Sequence, residues 1–182
     1  MIILLILGVA LWSGAHLWKR LSPDTRSPLG EKGKGYATVA ILASVVVMVV
    51  GYRGAEPVQL WYPPAFLTHV NNLLMLLAVY LFAASGMKTL VTRAIRHPQL
   101  SGFKAWAVAH LLVNGDLASV ILFGGLLAWA VVSVIQINKA VPVWVRPEQS
   151  SVGKEIGAVV GAVVVTGLIG LIHGWLGYWP FG

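Results

Sequence analysis

The sequence predicts an all-α fold, a polytopic integral membrane bundle of about six transmembrane helices, and three observations predict it. The 182 residues are 58% hydrophobic and only 10% charged, where a soluble domain carries about 25% charged residues, and the mean hydropathy is +0.81. Several uncharged apolar runs reach the roughly 20 residues that a helix needs to cross a hydrocarbon core of about 30 Å. The 13 Lys and Arg residues lie between those runs and not on one groove-facing element, so the net charge of +7 calls for no nucleic acid as partner. Cysteine is absent. Disulfides, iron–sulfur clusters and thiolate ligands are thereby excluded, and any metal must use His, carboxylate or Met.

The apolar runs fall at 2–18, 36–52, 66–84, 98–114, 117–136 and 155–178. The first starts at Met1 with no basic stretch before it and ends without a small-residue cleavage site, so it reads as a retained helix and not as a signal peptide. A loop rich in Ser, Pro, Gly and charge leads to the second. The third follows the 53–64 loop with its Trp61-Tyr62-Pro63-Pro64. The fourth opens on Arg96-His97-Pro98, where the proline suits the first helical position because its missing N–H costs nothing there. A helix from Pro98 to Asn114 covers about 24 Å, just enough to cross. Asn114-Gly115-Asp116 reads as a glycine at C′ closing that helix and an aspartate at the N-cap of the fifth. The sixth carries Gly153, Gly157 and Gly161, then Gly170 and Gly174, small residues at four-residue spacing that permit close packing in lipid. No repeat of solenoid period and no low-complexity tract appears, so 1–182 reads as a single domain.

Six crossings sort the cations by side. Lys19, Arg20, Arg26, Lys32, Lys34, Lys88, Arg93, Arg96, Lys104, Lys139, Arg146 and Lys154 share one side, and Arg53 stands alone on the other. By the positive-inside rule the rich side is cytoplasmic and both termini are periplasmic. Membrane lipid is the partner this arrangement implies.

Ionisable side chains inside apolar helices are costly unless paired or used, which directs attention to the histidines. His16 lies toward the cytoplasmic end of the first segment, His69 near the outer end of the third, and His97 opens the fourth. His110 is about two turns further in, and His173 is near the outer end of the sixth. With no Cys and abundant aromatics, the cofactor that best fits is haem b, its iron held by one or two imidazoles from facing helices. A tetrahedral zinc site fits less well, since the carboxylates sit mostly in loops and no His pair stands at i, i+4. By depth, His16 with His110 and His69 with His173 are both candidate pairs. Arg96 and His97, cationic at the surface, suit haem propionates or simply begin a helix. Asn114, four residues after His110, is placed to orient a ligand. Trp12, Trp106 and Trp129 lie deep enough to border a planar cofactor, while Trp18, Trp61, Trp144, Trp175 and Trp179 read as interfacial anchors.

The run from Arg96-His97-Pro98-Gln99-Leu100-Ser101-Gly102 through Trp106-Ala107-Val108-Ala109-His110 to Asn114-Gly115-Asp116-Leu117-Ala118-Ser119 and Leu122-Phe123-Gly124-Gly125 resembles the signature of the NnrU family. His16-Leu17, Gly51-Tyr52-Arg53 and Leu60-Trp61-Tyr62-Pro63-Pro64 agree with it, so the resemblance spans nearly the whole chain. It implies a bacterial inner-membrane protein tied to nitric oxide and nitrite metabolism in denitrification. The same family holds the 15-cis-zeta-carotene isomerase, a haem b enzyme whose iron is bound by two histidines. Those two positions are matched here by His16 and His110. The isomerase also has a Cys three residues before the second histidine, where this chain has Ala107. The resemblance leaves three functions open: a haem protein that senses or handles nitric oxide, a redox-regulated isomerase of a lipophilic carotenoid-like polyene, or a non-enzymatic assembly or regulatory factor. It assigns no catalytic residue. An Arg-His-Pro turn also occurs in isoprenylcysteine-type methyltransferases, whose further Glu and Arg motif near the C-terminus is missing here.

Overall fold

The structure, a computed structural model, describes residues 1–148 and 150–181. Among them stand six principal helices: α1 (Ile2–Leu21), α2 (Gly30–Arg53), α3 (Leu67–Met87), α4 (Pro98–Val113), α5 (Leu117–Ala140) and α6 (Val152–Trp175). The helices at Ile2–Leu21, Pro23–Arg53, Leu67–Met87, Leu117–Ala140 and Val152–Trp175 are long and apolar enough to cross a membrane. The chain is a multi-pass membrane protein. The fourth expected crossing is the 16-residue α4, about 24 Å long. Leu42, Val46, Leu73, Val163 and Leu171 are exposed, as side chains facing lipid are.

The helices overrun the apolar runs because their polar ends stay helical. The turn before α2 runs through Pro23–Arg26 and Ser27–Leu29. Arg26, counted among the loop cations, is folded into it, 9% exposed, with its guanidinium donating to the Gly30 carbonyl at 3.1 Å. At the far end of α3 the stop is Lys88, the one non-glycine with positive φ among the described residues (φ 56).

The chain divides into two compact units, 1–62 with 114–136, and 63–113 with 137–182. In the first, α1 and α2 meet through reciprocal glycines. A Cβ on Gly8 would stand 2.9 Å from the Met48 backbone nitrogen, and one on Gly51 would stand 2.6 Å from that of Leu5. α5 joins them at Gly125, where a Cβ would lie 2.7 Å from Val9 Cγ1. Just ahead of that contact α5 widens into a π turn at Val120–Gly124.

The loop before α3 is tied to the start of α5. Leu60 N–H and Trp61 N–H donate to the Gly115 carbonyl at 2.7 and 3.1 Å, and Leu117 N–H donates to the Val58 carbonyl at 2.9 Å. Gly115 therefore differs from the expected left-handed C′ residue. Positive φ occurs only at Gly30 and Gly177 among the described glycines, and what Gly115 supplies is space, since the Trp61 carbonyl stands where a Cβ would be.

In the second unit α4 packs on α3 at Gly102, whose Cβ would lie 2.7 Å from the Ala78 carbonyl oxygen. The glycines of α6 do not form the single close-packed face their spacing suggests. Gly153 and Gly161 meet nothing within 4 Å, Gly157 receives the end of Met87, and Gly170 and Gly174 receive the rings of Phe181 and Trp179. A side chain at Gly51 would displace backbone, whereas one at Gly161 would not. Gly51→Val is expected to destabilise the protein by about 1–3 kcal/mol, and Gly161→Ala to change stability by less than about 1 kcal/mol. Thermal unfolding in detergent checks both, and equal midpoints would contradict the packing.

Candidate functional site

In the first unit His16 sits on α1 one turn after Trp12. Its Nδ1 is 2.9 Å from the Trp12 carbonyl oxygen. A carbonyl can only accept, so Nδ1 carries the proton and Nε2 keeps its lone pair. Two indoles hold the imidazole: the Trp12 ring centroid is 4.2 Å away and that of Trp129 is 4.8 Å away, edge-on at 62°. The indoles meet each other at 5.4 Å and 79°. The result is a half-buried imidazole of fixed tautomer, able to ligate a metal or accept a proton through Nε2.

A second polar cluster in the same unit is structural in its chemistry. Asp116 is the expected N-cap of α5, accepting from Ser119 N–H at 2.9 Å and from Ser119 Oγ at 2.6 Å. Since Ser119 Oγ donates to the carboxylate, Tyr52 OH is left to donate to Ser119 Oγ at 2.9 Å. Tyr52, Ser119 and Asp116 thus tie α2 to the start of α5 beside the π turn, with Ser119 fully buried.

In the second unit His110 of α4 and His173 of α6 line one cavity with Asn71 and Asn72 of α3, Thr166 of α6 and Phe181. Its volume is about 50 Å³, room for roughly four water-sized spheres at about 10–15 Å³ each. A porphyrin does not fit inside it, since drug-sized ligands occupy about 300–1,000 Å³. His173 Nδ1 is 2.8 Å from the Ile169 carbonyl oxygen, which fixes its tautomer as for His16. The His110 ring is met edge-on by Trp106, at 5.3 Å and 73°.

The remaining predicted residues lie elsewhere. His69 is exposed on α3 and does not line the cavity. Arg96 donates to the Val141 carbonyl, and His97 Nε2 is 2.8 Å from Asn138 Oδ1, so both link the start of α4 to the end of α5. Asn114 follows the last residue of α4, Val113. His16 and Asn114 belong to the first unit, and Arg96, His97, His110, His69 and His173 to the second. What sequence reasoning missed was that His110 and His173, which belong to neither pair considered, line one cavity. It also passed over a legible signal: Trp12 and Trp106 each precede a histidine by four residues, which places ring over ring on a helix.

Asp116→Ala removes the cap and leaves the Ser119 N–H without its acceptor. A loss of about 1–2 kcal/mol is expected, with Asp116→Asn recovering most of it. Thermal unfolding of the two variants beside the parent reads this, and an unchanged Asp116→Ala would contradict the cluster.

Compared with known proteins, residues 4–180 match the family described as NnrU protein. No curated protein and no solved structure gives a significant match.

Proposed function

We propose that this chain, which belongs to the NnrU family, is a haem b protein of the bacterial inner membrane that serves nitric oxide and nitrite metabolism. The ligands the resemblance assigns are His16 and His110. The observation that supports imidazole ligation is the His16 ring itself, whose Nδ1–H is committed to the Trp12 carbonyl at 2.9 Å. Metal-bound histidines use this arrangement, in which a hydrogen bond at one nitrogen orients the other toward the metal. Trp12 and Trp129 restrain the ring, so little rotamer freedom remains to be lost on ligation. Haem, when bound, would supply an iron centre for nitric oxide or for redox chemistry. Both imidazoles being neutral, the ligand set adds no charge to an apolar interior. Arg96 and His97 stand just before α4 at the end expected to be cytoplasmic, and the Arg96 guanidinium keeps N–H groups beyond its bond to the Val141 carbonyl for an anionic group.

The isomerase reading draws less support. At the position of the isomerase's Cys stands Ala107, fully buried, which offers iron no alternate ligand. Protein purified after expression with ample haem should show a Soret band, and His16→Ala and His110→Ala should each lose or markedly shift it. Absence of the band would refute haem binding. A band untouched by either substitution would move the ligands to His69 and His173.

A further inference from the structure

Arg26 is a cation without a counter-charge in the chain. It is 9% exposed, yet the only ion pair among the described residues is Lys34 with Glu31, so no carboxylate meets its guanidinium. A charge held this way is unfavourable until an anion joins it. Nη1 donates to the Gly30 carbonyl at 3.1 Å. Nε and Nη2 have no partner among the described residues and are not shut away from the surface, as Arg93 Nε is. These two nitrogens form the side edge of the guanidinium, whose parallel N–H groups match two oxygens of one phosphate or carboxylate.

The turn before α2 holds the guanidinium in place. Gly33 makes room for it, since a Cβ there would stand 2.9 Å from Arg26 Cζ. On another side lies the Trp18 ring, its centroid 5.7 Å from Cζ. That ring is tied down in turn: Trp18 Nε1–H donates to Thr25 Oγ1 at 2.8 Å, and the Thr25 hydroxyl donates to the Ser22 carbonyl at 3.0 Å. Charge and place then narrow the anion. Lys19, Arg20, Arg26, Lys32 and Lys34 outnumber Asp24 and Glu31 by five to two over residues 19–34. The stretch joins two helices long and apolar enough to cross a membrane, where lipid phosphates lie and a basic segment attracts anionic headgroups.

We infer that Arg26 is a binding site for the phosphate of an anionic phospholipid, with Nε–H and Nη2–H donating to two phosphate oxygens and the neighbouring lysines and Arg20 supplying the positive field. The site uses no iron, so it stands or falls independently of the Soret band. The test is native mass spectrometry of the full chain in detergent, titrated with dioleoylphosphatidylglycerol. Dioleoylphosphatidylcholine serves as the lipid without net charge, and inorganic phosphate as the free ion. Phosphatidylglycerol should bind saturably and about tenfold more tightly than phosphatidylcholine. Arg26→Lys keeps the charge and loses the two-pronged edge, and should weaken phosphatidylglycerol binding about tenfold, the scale of one lost hydrogen bond to a charged group. The parent protein should also unfold at a higher temperature with phosphatidylglycerol than with phosphatidylcholine, a readout that needs no variant. Equal affinity for the two lipids, or an Arg26→Lys protein that binds as the parent does, would overturn the proposal. Inorganic phosphate displacing the lipid at millimolar concentration would give the site to a free ion and overturn the lipid assignment.

Discussion

The constraint on which the rest of this structure depends is that an apolar phase supplies no hydrogen bonds. A polar group inside the helices gains most from a partner within the protein, and the nearest partner is the carbonyl one turn back. Ser13 donates to the Val9 carbonyl at 2.8 Å and Ser44 to that of Ile41 at 2.6 Å. His16 and His173 do the same with Trp12 and Ile169. For serine this back-bonding only satisfies a hydroxyl. For histidine it also places the proton on Nδ1 and leaves the lone pair on Nε2.

The same scarcity of polar contacts shifts stability onto shape. Without a hydrophobic drive between helices in lipid, close approach must supply the attraction. Gly8 and Gly51 let α1 and α2 approach at backbone distance, and Gly102 does so for α4 on α3. Gly170 and Gly174 use the same absence of a side chain differently, seating the rings of Phe181 and Trp179. One residue type therefore serves helix packing in one place and the seating of aromatic rings in another, according to what lies opposite.

This explains how much could be read from the sequence. Helix number and order followed from apolar length, because hydropathy is a property of each segment alone. Asp116 was legible as an N-cap because its partner, Ser119, is three residues away. Gly115 was misread because the Trp61 carbonyl it accommodates lies 54 residues distant in the chain. The burial of Arg26, the π turn at Val120–Gly124 and the cavity that His110 and His173 both line depend on packing between elements, which periodicity does not encode. The spacing of Trp12 to His16 and of Trp106 to His110 was present in the sequence, and it becomes meaningful once the rings are seen in contact.

The central claim is that a backbone carbonyl fixes the His16 tautomer and leaves Nε2 free for ligation. The most direct measurement is ring ¹⁵N spectroscopy of the haem-free protein, with the His16 signals assigned by their loss in His16→Gln. The account predicts a protonated, pyrrole-like Nδ1 and an unprotonated, pyridine-like Nε2. A signal showing the proton on Nε2 would contradict it.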